Sequence, residues 1–241
     1  MIAVLTVEAR KLNRSLAALL AVAAPSLIAV FLFFNLLRGG KPQPWEMWTQ
    51  SSTGIWAFFM LPMSVTALTA LVAHMEHGPR AWDHLRALPV ARWKLYAAKA
   101  ICVMAVVAAM SLLNLALTLA AIHGAAAIKP EIMPTGALDV TAQVILMGKV
   151  LLAAILMIAI QLWTALRFAS FVPALALGIG GTFFSVVATA AKQGVFFPWQ
   201  MPVNMLAGEP WRAATALTLG AGAGTVVLLL AITHLSRREV L

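Results

Sequence analysis

The sequence predicts an all-helical integral membrane protein, and three observations support that fold class. Hydrophobic residues make up 62% of the 241 residues and charged residues only 10%. A soluble domain carries roughly 25% charged residues, so this chain has too few to cover a water-exposed surface. The mean hydropathy is +0.93. Finally, six apolar runs reach the roughly 20 residues that an α-helix needs to cross a bilayer.

The chain begins with a short amphipathic segment, which we interpret as a helix at the membrane interface. Residues 1–14 place Glu8, Lys11 and Arg14 among aliphatic side chains, and the basic residues of such a helix face the lipid headgroups. A cleaved signal peptide is the competing interpretation. The apolar run continues to Leu37, which is too long for a signal core, and an acidic residue is unusual in such a start.

The remaining chain forms a single transmembrane domain in this interpretation, with six spans joined by polar or proline-rich loops. Pro25 is expected to bend the first span, and Pro62 interrupts the second. A polar loop, RGGKPQPWEMWTQSS, follows the first span, and Arg167 alone carries charge in the turn before the fifth. The spans cover approximately residues 15–37, 53–73, 97–122, 140–166, 169–191 and 213–235.

The positions of Lys and Arg predict how the spans are oriented. Eleven of them lie on the side that holds both termini and the loop between the second and third spans, and five lie on the other side. Lys and Arg concentrate in cytoplasmic loops, so we expect both termini to be cytoplasmic. Topology and anionic membrane lipid then explain the net charge of +9 without nucleic acid as a partner.

The longest polar interruption, residues 74–99, lies between the second and third spans. Between Pro79 and Pro89, apolar residues recur at helical spacing with charged residues interleaved. They are Trp82, Leu85 and Leu88. This pattern predicts a short amphipathic helix that either docks on a partner protein or lies on the membrane surface.

The sequence contains no phosphate-binding loop, nucleophile elbow or His-Glu-x-x-His pair. The glycines Gly220, Gly222 and Gly224 lie inside a span, where small residues let helices pack closely. Asn114 and Gln161 are expected to bond neighbouring helices. Two functions stay open at this point: a membrane scaffold, and a metal-dependent enzyme that uses a histidine cluster. That cluster comprises His74, His77 and His84.

The polar interruption also resembles the first cytoplasmic loop of ABC transporter type-two permeases, and it is most similar to the lantibiotic-immunity and bacitracin-resistance branch. The resemblance rests on an acidic residue, a Trp-x-x-Leu pattern, Leu-Pro-Val-x-Arg, and a Tyr and Lys entering the third span. These residues are Glu76, Trp82, Leu85, Leu88, Pro89, Val90, Arg92, Tyr96 and Lys99. The opening helix, the turn at Arg167 and the outer loop around Pro198 resemble the family in the same order.

The resemblance implies a permease subunit of an exporter, with no catalytic residue, metal or cofactor on this chain. A separate pair of ATPase subunits would bind ATP and Mg, and a second permease, identical or different, would complete the pathway. The location would be the bacterial cytoplasmic (inner) membrane. The cargo would be hydrophobic or amphipathic, such as an antimicrobial peptide.

The resemblance also assigns residues to these roles. The opening segment, with Glu8, Lys11 and Arg14, would be an elbow helix. A coupling helix would dock on the ATPase through Glu76, Arg80, Trp82, Asp83, Leu85, Arg86, Leu88 and Arg92. The loop 196–205 would be a re-entrant outer gate. Lys149 is a charge inside a span, which marks either function or snorkelling to the outer interface. Candidates for the pathway or gate are Pro62, Lys149, Pro173, Pro198 and Trp199.

Overall fold

The computed structural model describes residues 1–39, 41–77 and 89–237, and the regular elements in these ranges are helices. Short 3-10 turns lie in the loops. The main helices are α1 (Ile2–Asn13), α2 (Leu16–Arg38), α3 (Trp45–His77), α4 (Arg92–Ile128), α5 (Val140–Arg167), α6 (Val172–Ala188) and α7 (Pro210–Arg237). The all-helical prediction is therefore confirmed for the described part of the chain.

Five helices in the described ranges, α2, α3, α4, α5 and α7, are long and apolar enough to cross a membrane. The predicted fifth span corresponds to α6, which has 17 residues. At 1.5 Å per residue α6 is roughly 26 Å long, less than the roughly 30 Å of a hydrocarbon core. A multi-pass membrane protein is thus supported, while the count of six spans is not confirmed.

The start of α3 and both ends of α6 differ from the predicted spans, and α4 extends five residues before and six residues after its span. The segment predicted as a polar loop is helical from Trp45, eight residues before the predicted span, with Glu46 in the first turn. An acidic residue there stabilises a helix start even where hydropathy is low. In contrast, α6 begins only at Val172, with Pro173 in its first turn, and it ends at Ala188. Proline is favoured in the first turn of a helix, and this preference explains why α6 starts later than the predicted span.

The helix α4 is the central element of the bundle, since it packs against α1, α2, α3, α5 and α7. Polar side chains join it to α3: the Ser52 and Thr118 hydroxyls lie 2.6 Å apart, and Trp56 Nε1 donates to Ser111 Oγ at 3.1 Å. Asn114 Nδ2 donates to Ser52 Oγ at 3.3 Å. Gln161 of α5 donates to the Ala174 carbonyl of α6 at 2.6 Å. The expected interhelical role of both amides is confirmed.

Glycines set the closest helix approaches. A side chain at Gly220 of α7 would collide with the backbone of Ala153 in α5, and one at Gly224 would meet the backbone at Leu156. Around Gly222 there is open space. The predicted role in close packing is therefore confirmed for two of the three glycines.

These glycines allow a matched test of the packing between α5 and α7. We expect Gly220→Val to lower the thermal stability of the detergent-solubilised protein, because the added side chain must push the two backbones apart. Overpacking of this kind costs about 1–3 kcal/mol, occasionally more. Gly222→Val introduces the same side chain two residues away into open space. An equal loss of stability in both variants would contradict the packing described here.

Candidate functional site

Four charged side chains form a closed ring where α1, α3 and α4 meet. Lys99 Nζ lies 2.7 Å from Glu8 Oε2 and 2.7 Å from Glu76 Oε1. Lys11 Nζ lies 2.8 Å from Glu76 Oε1 and 3.0 Å from Glu8 Oε1. Each carboxylate therefore accepts from both ammonium groups. We call Glu8, Lys11, Glu76 and Lys99 the charge ring.

The positions of the ring residues follow from helix geometry. Glu8 and Lys11 are three residues apart, so they share one face of α1, as i,i+3 pairs do. Glu76 lies in the last turn of α3 and Lys99 in the third turn of α4. The two helices run antiparallel on either side of the polar interruption, which brings their charged ends together. Three helices thus supply one electrically balanced cluster.

Burial makes the ring energetically demanding. Glu76 and Lys99 are each 1% exposed and Glu8 is 4% exposed. Unpaired charges at such sites would lose several kcal/mol of hydration, so each needs its partners. Burial of the Lys11 ammonium acts to lower its pKa, but its hydrogen bonds to Glu76 and Glu8 outweigh that effect. The pKa of Lys11 therefore lies above its usual value of 10.5, and the group is charged at neutral pH.

The ring fixes both ends of the connection between α3 and α4. Glu76 directly precedes that connection and Lys99 follows it, yet their charged atoms lie 2.7 Å apart. Glu8 and Lys11 attach α1 to the same point. The ring therefore ties α1, α3 and α4 together at this end of the bundle.

Most of the predicted ATPase-coupling residues lie outside the described part of the structure. These are Arg80, Trp82, Asp83, Leu85, Arg86 and Leu88. Arg92 is the first residue of α4 and is exposed. Glu76 is buried in the charge ring rather than at a surface, so its carboxylate holds the ends of the connection together.

The predicted elbow residues divide between two environments. Glu8 and Lys11 join the charge ring, whereas Arg14 is exposed just past the end of α1. The amphipathic prediction for α1 agrees with this division. Glu8 and Leu12 are its buried residues, and Arg10 and Arg14 remain exposed.

The predicted pathway prolines Pro62 and Pro173 lie in α3 and α6, two helices that pack against each other. Pro62 is buried in α3, two residues after a π-helical turn at Trp56–Met60 that locally widens the helix. Pro173 opens α6 and is half-buried. A side chain at Gly178 of α6 would collide with Thr66 of α3. The helices α3 and α6 therefore pack closely at Thr66 and Gly178.

The loop 196–205 packs against α6 and makes polar contacts near the end of that helix. Trp199 is 3% exposed; its ring lies 5.4 Å from that of Phe197 and abuts Gly181 of α6. Pro198, which precedes it, is half-buried. The neighbouring Gln200 is buried and donates to the Ser185 carbonyl and, at 2.6 Å, to Thr189 Oγ1.

A cavity with several polar side chains opens beside this loop. Arg212 Nε donates to Asn204 Oδ1 at 3.0 Å, and Asn204 Nδ2 donates to the Gln200 carbonyl at 2.7 Å. The cavity they border has a volume of about 480 Å³ and also includes Glu209. Gln200 and Asn204 were not among the residues predicted from the sequence, because an isolated amide carries no signal of its partner.

Lys149 lies on an exposed face of α5 with Val144, Ile145 and Leu152. No salt bridge joins it to another residue in the described part of the chain. Lys149 is therefore exposed on the surface of the helix bundle. The described residues contain no group of three or more His, Cys, Asp and Glu side chains that could hold a metal, and His84 falls outside them.

Comparison with known proteins adds one finding. A family model described as ABC-2 family transporter protein matches residues 4–186, which is well over half of the chain. The match includes all four members of the charge ring and extends almost to the end of α6. No curated protein and no solved structure matches.

The charge ring predicts a large effect of removing one member. We expect Lys99→Met to lower the thermal stability of the solubilised protein strongly, because two buried carboxylates then share only Lys11. Removing one partner of a buried pair costs about 3–5 kcal/mol. The double variant Glu76→Gln with Lys99→Met keeps the neutral pair of Glu8 and Lys11, so it should lose less than the single variant.

Lys149→Met is the matched control, since it makes the same replacement at an exposed site within a predicted span. Melting temperatures from the same preparation compare the three variants. Equal melting temperatures for Lys99→Met and Lys149→Met would show that the ring contributes nothing to stability.

Proposed function

Because the chain belongs to the ABC-2 family of transporter proteins, we propose that it forms, with a second permease, the membrane pathway of an ATP-driven exporter. Members of this family are membrane permease components of ABC transporters and are not themselves enzymes. In the proposal, a separate pair of ATPase subunits binds ATP and Mg. The second permease is a copy of this chain or a different chain.

The observation that carries the proposal is the charge ring at the ends of the connection between α3 and α4. A helix that receives force from an ATPase must pass it to the membrane helices without deforming at its ends. The 2.7 Å contact between Lys99 and Glu76 holds those ends together, and Glu8 adds α1. The ring thus supplies the rigid base that a coupling helix needs.

The coupling contact itself is proposed for the polar segment between the helices. Trp82, Leu85 and Leu88 would be the apolar anchors, and Arg80, Asp83, Arg86 and Arg92 the charged rim, as in other interface hot spots. Closure of the ATPase pair on ATP would move this segment, and α1, α3 and α4 would rock together. Both termini and this segment would lie in the cytoplasm, in agreement with the bias of Lys and Arg.

The outer half of the molecule would form the gate. The inward packing of Trp199 against α6, and the intimate contact of α6 with α3, favour a gate at the loop 196–205. Pro62 and Pro173 mark where the adjoining helices can bend, and Pro198 precedes the buried Trp199. Lys149 faces outward from α5, towards lipid or a second subunit. The proposed cargo is hydrophobic or amphipathic, and the lantibiotic-immunity resemblance favours an antimicrobial peptide.

A pull-down of the tagged chain from its native host tests the coupling contact. We expect an ATPase to copurify with the parent. The amount of ATPase should fall at least tenfold in the variant Trp82→Asp with Leu85→Asp, because buried charges would replace both apolar anchors. Quantitative mass spectrometry of the eluate measures the ratio of ATPase to permease. A second permease in the same eluate would identify a heterodimer.

The matched control is Met133→Asp with Trp211→Asp, which introduces two charges at exposed apolar residues in and beside other loops. Absence of ATPase from the parent, with the protein folded in the membrane, would favour the membrane scaffold. A stoichiometric metal that His74→Ala and His77→Ala remove would favour the metal-dependent enzyme. Equal loss of ATPase in both double variants would contradict a specific contact at Trp82 and Leu85.

A further inference from the structure

An apolar groove opens between α1, α2 and α4, beside the charge ring. Its volume is about 390 Å³. Five alanines contribute to its walls, so the short side chains leave a gap between three helices that longer side chains would fill. The lining includes Ala9 and Asn13 of α1, Ala18 and Ala21 of α2, and Cys102 and Ala105 of α4.

The groove has a closed floor and an open mouth. Leu12, Ala17 and Cys102 are buried at its floor, whereas Val22 and Ala105 are exposed. Both α2 and α4 are long and apolar enough to cross a membrane, so the mouth between them faces hydrocarbon. A flexible acyl chain entering from that side would meet apolar walls.

Two arginines of α1 lie beside lining residues of the groove. Arg10 follows the lining residue Ala9, and Arg14 follows the lining residue Asn13. Both arginines are exposed. The carboxylate of α1, Glu8, is already bonded to Lys11 and Lys99. In the part of the chain that the structure describes, neither Arg10 nor Arg14 forms an ion pair.

We propose that this groove is a binding site for one anionic phospholipid of the adjoining leaflet. The groove takes an acyl chain, and Arg10 and Arg14 take the phosphate, which guanidinium groups bind with two parallel hydrogen bonds. Basic pockets between membrane helices bind anionic headgroups in this way. The bound lipid would hold α1 against α2 and α4, next to the charge ring.

Native mass spectrometry of the protein measures how tightly dioleoyl phosphatidylglycerol and dioleoyl phosphatidylcholine bind. The two lipids have identical chains and differ in headgroup charge. We expect the first phosphatidylglycerol to bind more tightly than phosphatidylcholine. Arg10→Gln with Arg14→Gln should weaken the binding of phosphatidylglycerol about thirtyfold, since each basic group near a membrane contributes roughly a factor of five to the affinity.

Two matched controls separate the groove from the general surface. Ala105→Leu should displace the first lipid by filling the groove, while Ala116→Leu adds the same side chain to an exposed position on α4. Arg38→Gln with Lys41→Gln removes two exposed charges at the opposite end of α2 and should leave binding unchanged. Equal affinities of the parent for both lipids would overturn the proposal. So would equal effects of Ala105→Leu and Ala116→Leu on lipid binding, or of the two double variants.

Photocrosslinking locates the bound chain. A phosphatidylglycerol with a diazirine in its acyl chain should label residues 17–22 of α2 and 102–106 of α4, and Ala105→Leu should abolish that label. Labelling only elsewhere would overturn the site. The chain could instead dimerise through the groove. If Ala105→Leu abolished a dimer and the parent showed no lipid selectivity, the occupant would be a second copy, and the lipid proposal would be overturned.

Discussion

The buried charge ring is the interaction on which the arrangement of α1, α3 and α4 depends. Two ammonium groups and two carboxylates lie within 3.0 Å of their partners, and three of the four side chains are almost fully buried. Attraction between the opposite charges offsets the hydration that these groups lose, provided that each charge keeps a partner. The ring therefore favours one arrangement of the three helices over looser ones that apolar packing alone would permit.

The rest of the bundle relies on a different kind of contact. Apolar burial distinguishes poorly between helix packings inside lipid, so close backbone approach and interhelical hydrogen bonds hold the helices together. Gly220 and Gly224 bring α7 against α5, and Gln161 joins α5 to α6. Specific ionic contacts lie at the end of the bundle near the N-terminus, and small residues with buried amides lie farther from it. This division would allow the ends of α1, α3 and α4 at the charge ring to move as a unit while the other helices shift.

Hydropathy predicted the helical class and most spans, because long apolar runs in a membrane protein have few alternatives to a helix. It did not predict the start of α3 at Trp45, where polar residues are helical, or the shortness of α6. The individual charges at residues 8, 11, 76 and 99 were visible in the sequence, and the family resemblance singled them out. Their assembly into one ring depends on tertiary packing across up to 91 residues. No local pattern encodes such a contact.

The central claim is that the ring makes the ends of the α3–α4 connection rigid enough for an ATPase to act on. The most direct test is the amount of ATPase retained by Glu76→Gln with Lys99→Met, which opens the ring but leaves Trp82 and Leu85 intact. Lys149→Met serves as the control in the same pull-down. The account predicts several-fold less ATPase with the ring variant, although it remains folded in the membrane. Retention at the parental ratio would contradict it.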